Sequence, residues 1–349
     1  MKQNRLGRTD IMVTEYCLGT MTFGSQTDEA DAHTQIDMAL AAGINFLDTA
    51  EMYPVNPVRA ETIGHSEAII GRWNEKTGRR SDYVLATKHS GQGLKAVRDG
   101  APISKESIAT TIEDSLKRLK TDYIDLYQFH WPNRGSYMFR KNWGFKPWTS
   151  GQTRADIRAD IENCLEALQE QVDKGNIRAF GLSNDSAWGT AQWLDLAEAG
   201  KGPRVATLQN EYSLLCRLFD TDLAELSTYE DVGLLSYSPL AAGLLTGKYQ
   251  GGAVPDKSRM SINGNLGGRV SERVFEAVEA YLAIARKHGL DPVNMALAWC
   301  KTRPFMASVI FGATGQTQLK HILDGKDLEL GVDVIEEIDA AHKTYPMPY

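Results

Sequence analysis

Cysteine is scarce in this chain: Cys17, Cys164, Cys216 and Cys300 are scattered through 349 residues and no two form a CxxC pair. That spacing excludes a disulfide framework and a structural zinc site, and it reads as four reduced thiols acting as small buried hydrophobes. Long apolar runs are also missing. The opening MKQNRLGRTD is polar and no extended apolar segment follows it, so neither a signal peptide nor a membrane span is expected, and the cytoplasm is the expected location. There is no excess of basic charge either. A net charge of -7 and a pI near 5.6 exclude general binding to nucleic acid, while leaving room for a local basic pocket that holds a phosphate. The histidines show no HExxH-like spacing, so no metal is expected. No Pro/Gly/Ser-rich linker divides the chain, and nothing in its sequence marks an oligomer interface.

What is present is a regular alternation. Short apolar, β-branched runs recur as YCLG (16–19), INFLD (44–48), DYVLATK (82–88), IDLYQFH (124–130), IRAFGLS (177–183), VATLQN (205–210), GLLSYSP (233–239) and SVIFG (308–312). Continuous apolar runs of this length are what strands covered on both faces look like. Between them lie segments with helical spacing, among them 28–43, 104–120 and 158–175. Ser104 with Ser107 and Glu106 suggests a helix start, and Gly43 and Gly175 suggest stops. Eight strand–helix alternations predict a (β/α)8 barrel, with residues 1–349 forming one domain.

Three segments fall outside the alternation. Residues 4–16 predict a hairpin able to close the bottom of the barrel. Residues 133–152, with Tyr137, Phe139, Trp143, Phe145 and Trp148, form a loop too aromatic to be disordered. Residues 246–269, rich in Gly and basic residues, read as a flap.

In such a barrel the carboxyl ends of the strands build the active site. Those ends carry Asp48, Lys88, His130, Ser183 and Asn184, Gln209 and Asn210, and Tyr237 with Ser238. Tyr53 follows Asp48 by five residues. An acid, a phenol, an amine and an imidazole on one rim are the parts of a proton-transfer site. A phenol titrates near 10, and a Lys cation held by Asp48 is expected to lower it, making Tyr53 a general acid while His130 polarises a substrate oxygen. No side chain is a hydride source, so an oxidoreductase built on this set requires a nicotinamide.

LDTAEMY, the Lys of VLATKHS and the His of YQFHWP resemble the catalytic signature of the aldo-keto reductases, and GLSN, LQNEYSLL and SYSPLAAGLLTGKY are similar to that family's cofactor-side segments. The resemblance runs from about Arg5 to about Ile322. GTMTFG and AEMYP place it near the Tas-like branch, related more broadly to the potassium-channel β subunits. It implies reduction of an aldehyde or ketone, with Tyr53 as proton donor assisted by Lys88 and Asp48, and with His130 and Trp131 beside the substrate. It also implies that Thr20 and Met21 lie beneath a nicotinamide whose carboxamide is held by Ser183, Asn184 and Gln209 and whose ring stacks on Tyr237. Ser238, Pro239, Leu240 and Ala241 would line the pyrophosphate, and Lys248 and Arg259 would close over it. In the last segment the family often offers Lys and Arg to the adenosine 2′-phosphate; here Gly312, Thr314 and Gln318 stand instead, and Ile322 replaces a common Asn. The implied cofactor is NADPH, with NADH the alternative.

A nicotinamide-binding regulatory module with little turnover is the competing expectation; the complete set including His130 favours catalysis. GQGLKA (91–96) matches GxGxxA, but the helix that a dinucleotide turn requires is broken by VRDGAPIS, so it reads as a loop. NDS (184–186) matches a glycosylation acceptor, with nothing else pointing to secretion.

Overall fold

The computed structural model describes residues 1–349. A two-stranded antiparallel hairpin, β1 (Gln3–Arg5) and β2 (Met12–Thr14), precedes eight parallel strands. These are β3 (Tyr16–Gly19), β4 (Phe46–Asp48), β5 (Val84–His89), β6 (Ile124–Phe129), β7 (Ile177–Ser183), β8 (Val205–Glu211), β9 (Gly233–Tyr237) and β10 (Met306–Phe311), and β10 pairs back onto β3 to close a barrel. The expected (β/α)8 architecture is therefore the observed one, with all eight strands where their apolar runs lie.

The helices are capped by side chains that satisfy their first free amides. Asp28 accepts from the Asp31 amide to start the helix Glu29–Ala41, and Ser104 and Ser107 form a reciprocal capping box for Lys105–Leu119. The helix expected at 158–175 starts four residues earlier, at Arg154, because Thr153 and Asp156 form a second capping box. No helix is long and apolar enough to cross a membrane.

Two apolar bodies hold the barrel. A large one packs helices on its outer face. A smaller one fills its lower interior: hairpin residues Leu6, Ile11 and Val13 meet Cys17, Phe46, Val84, Ala86, Leu126, Ala179, Ala206, Leu235, Ala307 and Ile310, at least one residue from every barrel strand. The hairpin thus plugs the bottom. At its turn Gly7 has φ +52°, and a Cβ there would lie 2.6 Å from the Ala206 carbonyl oxygen, so this close approach requires glycine.

Successive side chains in a strand face opposite sides, so residues two apart share a face. That rule sets the transition from plug to site: Phe46 is followed by Asp48, Ala86 by Lys88 and Leu126 by Gln128. The strand register places Asp48 beside Ala86 and Lys88 beside Gln128, so the polar layer begins one step above the apolar one.

Candidate active site

Asp48 is the hub of the upper interior. Its Oδ2 accepts from Lys88 Nζ at 2.6 Å, and its Oδ1 accepts from the Gln209 amide at 2.8 Å and the Gln128 amide at 3.3 Å. Strands β4 and β8 are not neighbours, so the Gln209 bond crosses the barrel. Lys88 is fully buried and gives a second bond to the Thr49 carbonyl at 2.7 Å. Burying a pair of charges is costly unless each is paired and hydrogen-bonded; here both conditions hold.

The loop after β4 is held on β5: the amides of Thr49 and Glu51 donate to the Ala86 and Lys88 carbonyls. Glu51 accepts from the Ser90 amide at 2.5 Å and from Arg98 Nη1 at 2.6 Å. From the other side, the Ser66 amide, at the start of the helix His65–Thr77, donates to the Tyr53 carbonyl. These anchors bring Tyr53 over the barrel axis, with Lys88 Nζ 5.1 Å from its ring centroid.

The structure corrects one electrostatic expectation. The Tyr53 phenol is not lowered but raised well above its ordinary value, first by burial and then by the negative charge of Asp48, with Arg259 opposing. Lys88 directs its hydrogen bonds to Asp48 and Thr49, so Asp48 largely cancels its charge as seen from the phenol. Tyr53 consequently stays protonated at neutral pH.

His130 follows β6, and its ring meets Tyr53 edge-on at 5.8 Å between centroids. Burial, then the Lys88 charge, holds its imidazole well below the ordinary value, so it is neutral. Its Nδ1 is buried with no partner. Trp131 tilts against His130 at 5.2 Å, and Phe139 meets Trp131 edge-on at 6.1 Å. Trp131 lies over the GQG turn: its Nε1 donates to the Gln92 carbonyl, and a Cβ at Gly91 would fall 2.4 Å from its ring. The GxGxxA match is accordingly a loop whose first glycine makes room for an aromatic. Trp143 and Trp148, farther along the aromatic loop, are 70% and 78% exposed; the aromatic wall stops at Phe139.

On the other side of the mouth, Ser183 Oγ donates to the Gln209 carbonyl at 2.7 Å. The Asn184 amide group donates to the His130 carbonyl at 2.9 Å and to Ser183 Oγ at 3.0 Å, and its Oδ1 accepts from the Tyr237 hydroxyl at 2.7 Å. Asn184 is buried, which disposes of the glycosylation reading. Thr20 is buried too, its hydroxyl donating to the Asp48 carbonyl, while Met21 beside it is half-buried. Thr20, Asp48, Gln209, Ser183, Asn184 and Tyr237 are thus joined in one run of hydrogen bonds across the carboxyl ends of the strands.

After β9 the backbone turns sharply: Ser238, Ala241, Ala242 and Gly243 all have positive φ, with Pro239 and Leu240 between them. The end of Lys248 lies against this turn, a Cβ on Gly243 falling 3.0 Å from its Nζ. Arg259, half-buried at the start of the short helix Arg259–Ile262, is pushed down first by burial and then by the Arg269 charge. Neither Lys248 nor Arg259 is bonded to a carboxylate. Two such cations beside a turn of positive-φ residues fit a bound diphosphate, so the donor set matches a dinucleotide here. At the last segment, Gln318 Oε1 accepts from both the amide and hydroxyl of Thr314, beside the exposed Gly312. Ile322 packs into the core.

Sequence reading missed four residues of this region. Gln128 shares the face of His130 by strand parity and was readable in principle. Glu211 lies two residues past Gln209 and was also readable. Arg140 and Arg269, which bond to Glu211, come from loops that carry no periodic signal.

The comparisons with known proteins agree with this geometry. A model described as the aldo/keto reductase family matches residues 15–343. The chain is 44% identical to the protein Tas of Escherichia coli (strain K12), covering 100% of this chain and 99% of that protein. It is 31% identical to a probable voltage-gated potassium channel subunit beta of Arabidopsis thaliana, with both chains covered completely, and 31% identical to the uncharacterized oxidoreductase YrpG of Bacillus subtilis (strain 168), over 97% of this chain and 95% of that one. With these matches along its length and a closed eight-stranded parallel barrel, the chain belongs to the aldo/keto reductase family and is an NAD(P)H-dependent oxidoreductase.

Proposed function

We propose that the protein reduces an aldehyde or ketone to the alcohol with NADPH, and that Tyr53 delivers the proton. The observation that carries this reading is the buried Lys88–Asp48 pair beneath a protonated Tyr53, with neutral His130 beside it. A nicotinamide held here would supply the hydride to the carbonyl carbon. As the C=O bond opens, the oxygen gains electron density and takes the phenolic proton. Because Tyr53 stays protonated until then, the proton is in place when the oxygen needs it, and water restores it afterwards. Lys88, bonded to Asp48 and Thr49 beneath the ring, fixes the place from which the phenol gives its proton. His130, kept uncharged, orients the carbonyl oxygen, and Trp131 bounds the substrate.

Ser183, Asn184 and Gln209 are assigned to the carboxamide, Tyr237 to the ring face, and Thr20 and Met21 to the floor beneath it. Ser238, Pro239, Leu240 and Ala241 with Lys248 and Arg259 take the diphosphate, and Gly312, Thr314 and Gln318 the adenosine end. The last three offer a 2′-phosphate no guanidinium, whose paired donors an amide cannot replace; preference for NADPH over NADH therefore rests on Lys248, Arg259 and the family resemblance. The chain is read as one domain acting in the cytoplasm on a small carbonyl compound.

Fluorescence-quenching titration with NADPH and NADH, followed by NADPH oxidation with a panel of aliphatic and aromatic aldehydes, tests the reading. Tight binding of NADPH and turnover are expected. Binding without turnover on any aldehyde would support the regulatory module, and absence of binding would overturn the cofactor assignment.

A further inference from the structure

Glu211, the last residue of β8, is almost completely buried. Its Oε2 accepts from Arg140 Nη1 at 2.6 Å; its Oε1 accepts from Arg269 Nε at 2.7 Å and from the Tyr349 hydroxyl at 3.1 Å. Burial pushes the carboxyl up, but Arg269 and Arg140 more than offset it, and it remains ionised. The three partners come from three separate segments: the aromatic loop, the end of the flap and the chain's last residues.

Each arm leads to a different part of the proposed site. Arg140 follows Phe139, and both have positive φ, 62° and 57°. Two consecutive non-glycine residues in this region are strained and persist only where surrounding contacts hold them. The Arg140–Glu211 ion pair is such a contact, and Phe139 is the outermost ring of the Tyr53, His130, Trp131 and Phe139 line. Arg269 reaches Ser238 Oγ at 3.4 Å and the Leu266 carbonyl at 2.8 Å, at the turn where Lys248 and Arg259 stand unpaired. Tyr349 is backed by Ser271, whose hydroxyl donates to the Pro348 carbonyl at 2.6 Å.

We propose that Glu211 is a positioning residue that ties the diphosphate-side flap, through Arg269, to the aromatic substrate wall, through Arg140, so that the grip on the cofactor and the seating of a ring-bearing carbonyl substrate against Phe139 are set together. It rests on the proposed cofactor and substrate placement. Glu211 touches neither reacting atom; it acts by holding the turn that places Phe139 and the arginine that borders the Ser238 turn.

The test uses the full chain and three variants, each checked for folding by circular dichroism, with NADPH release measured by stopped-flow fluorescence and KM measured for propanal and for a naphthaldehyde. Glu211→Gln is expected to raise the NADPH off-rate roughly tenfold and the naphthaldehyde KM by a similar factor, with the propanal kcat within twofold of wild type. Arg140→Met leaves Glu211 paired with Arg269 and keeps the test alive if Glu211→Gln does not fold; it should raise only the naphthaldehyde KM. Arg269→Met should raise chiefly the off-rate. Equal KM changes for both aldehydes, or an off-rate unchanged in both Glu211→Gln and Arg269→Met, would overturn the tie. Failure of wild type to bind NADPH or to turn over either aldehyde would instead overturn the proposed function, so the two failures are distinguishable.

Discussion

The two ends of the barrel interior are built from the same strands and have opposite chemistry. Below, ten apolar strand residues close around Leu6, Ile11 and Val13 of the hairpin; above them, Asp48, Lys88, Gln128 and Gln209 form a charged, hydrogen-bonded layer that is just as deeply buried. The lower layer gains stability by removing apolar surface from water. The upper layer buries charge, which costs stability unless every partner is present. The difference teaches that one half of the interior maintains the fold, and that the other half uses it to hold groups in place that would be hydrated and mobile on a surface.

Substitutions should separate the halves. The largest effect is expected from Tyr53→Phe, which removes the proposed proton donor while keeping the ring over Lys88: aldehyde turnover should fall by roughly 10²–10⁴-fold, with NADPH affinity nearly unchanged by quenching titration. Lys88→Met strikes both ledgers of the upper layer. It leaves Asp48 buried without its cation, so a loss of about 3–5 kcal/mol in denaturant unfolding should accompany the loss of turnover; a stable variant would show that the Asp48 charge is tolerated alone. Leu6→Ala, in the plug, should cost about 2–5 kcal/mol yet leave kcat at wild-type level, and a matching fall in kcat would mean that the two layers are mechanically coupled.

The smallest effect is a pH dependence. His89, beside Glu51 and Arg98, is pushed down to about 3 by burial and then by the Arg98 charge, and His130 is also held low. Both are neutral in the folded protein, whereas the unfolded chain takes up their protons below about pH 6.5. Folded values depressed in this way mean that stability is full above that pH and falls as pH drops, by about 1.4 kcal/mol per pH unit for each histidine. Melting temperature followed from pH 7 to 5 should decline accordingly, and His89→Gln should flatten the decline; an unchanged slope would place the proton uptake elsewhere.

Much of this was legible in the residues. The eight strands appear as apolar runs because a strand covered on both faces has no polar side to show, and Asp48, Tyr53, Lys88 and His130 stand out because each ends such a run or follows it closely. The start of the helix at Arg154 was obscured because the capping pair Thr153 and Asp156 is a two-residue signal inside a polar segment. The Tyr53 phenol was misjudged for a different reason. A neighbouring cation can be inferred from sequence, but whether its charge is already cancelled by Asp48, and how far the phenol is removed from water, depends on distances between separate strands.

Sequence alone determined the elements and which side chains are candidates for the chemistry, since local periodicity and residue chemistry travel with the chain. The tertiary structure decided what those groups experience: the Asp48 hub joins strands 161 residues apart, and Glu211 gathers Arg140 and Arg269 from two loops and Tyr349 from the end of the chain. Electrostatic interactions in a dry interior depend on distance and burial, and neither quantity is carried by spacing along the chain.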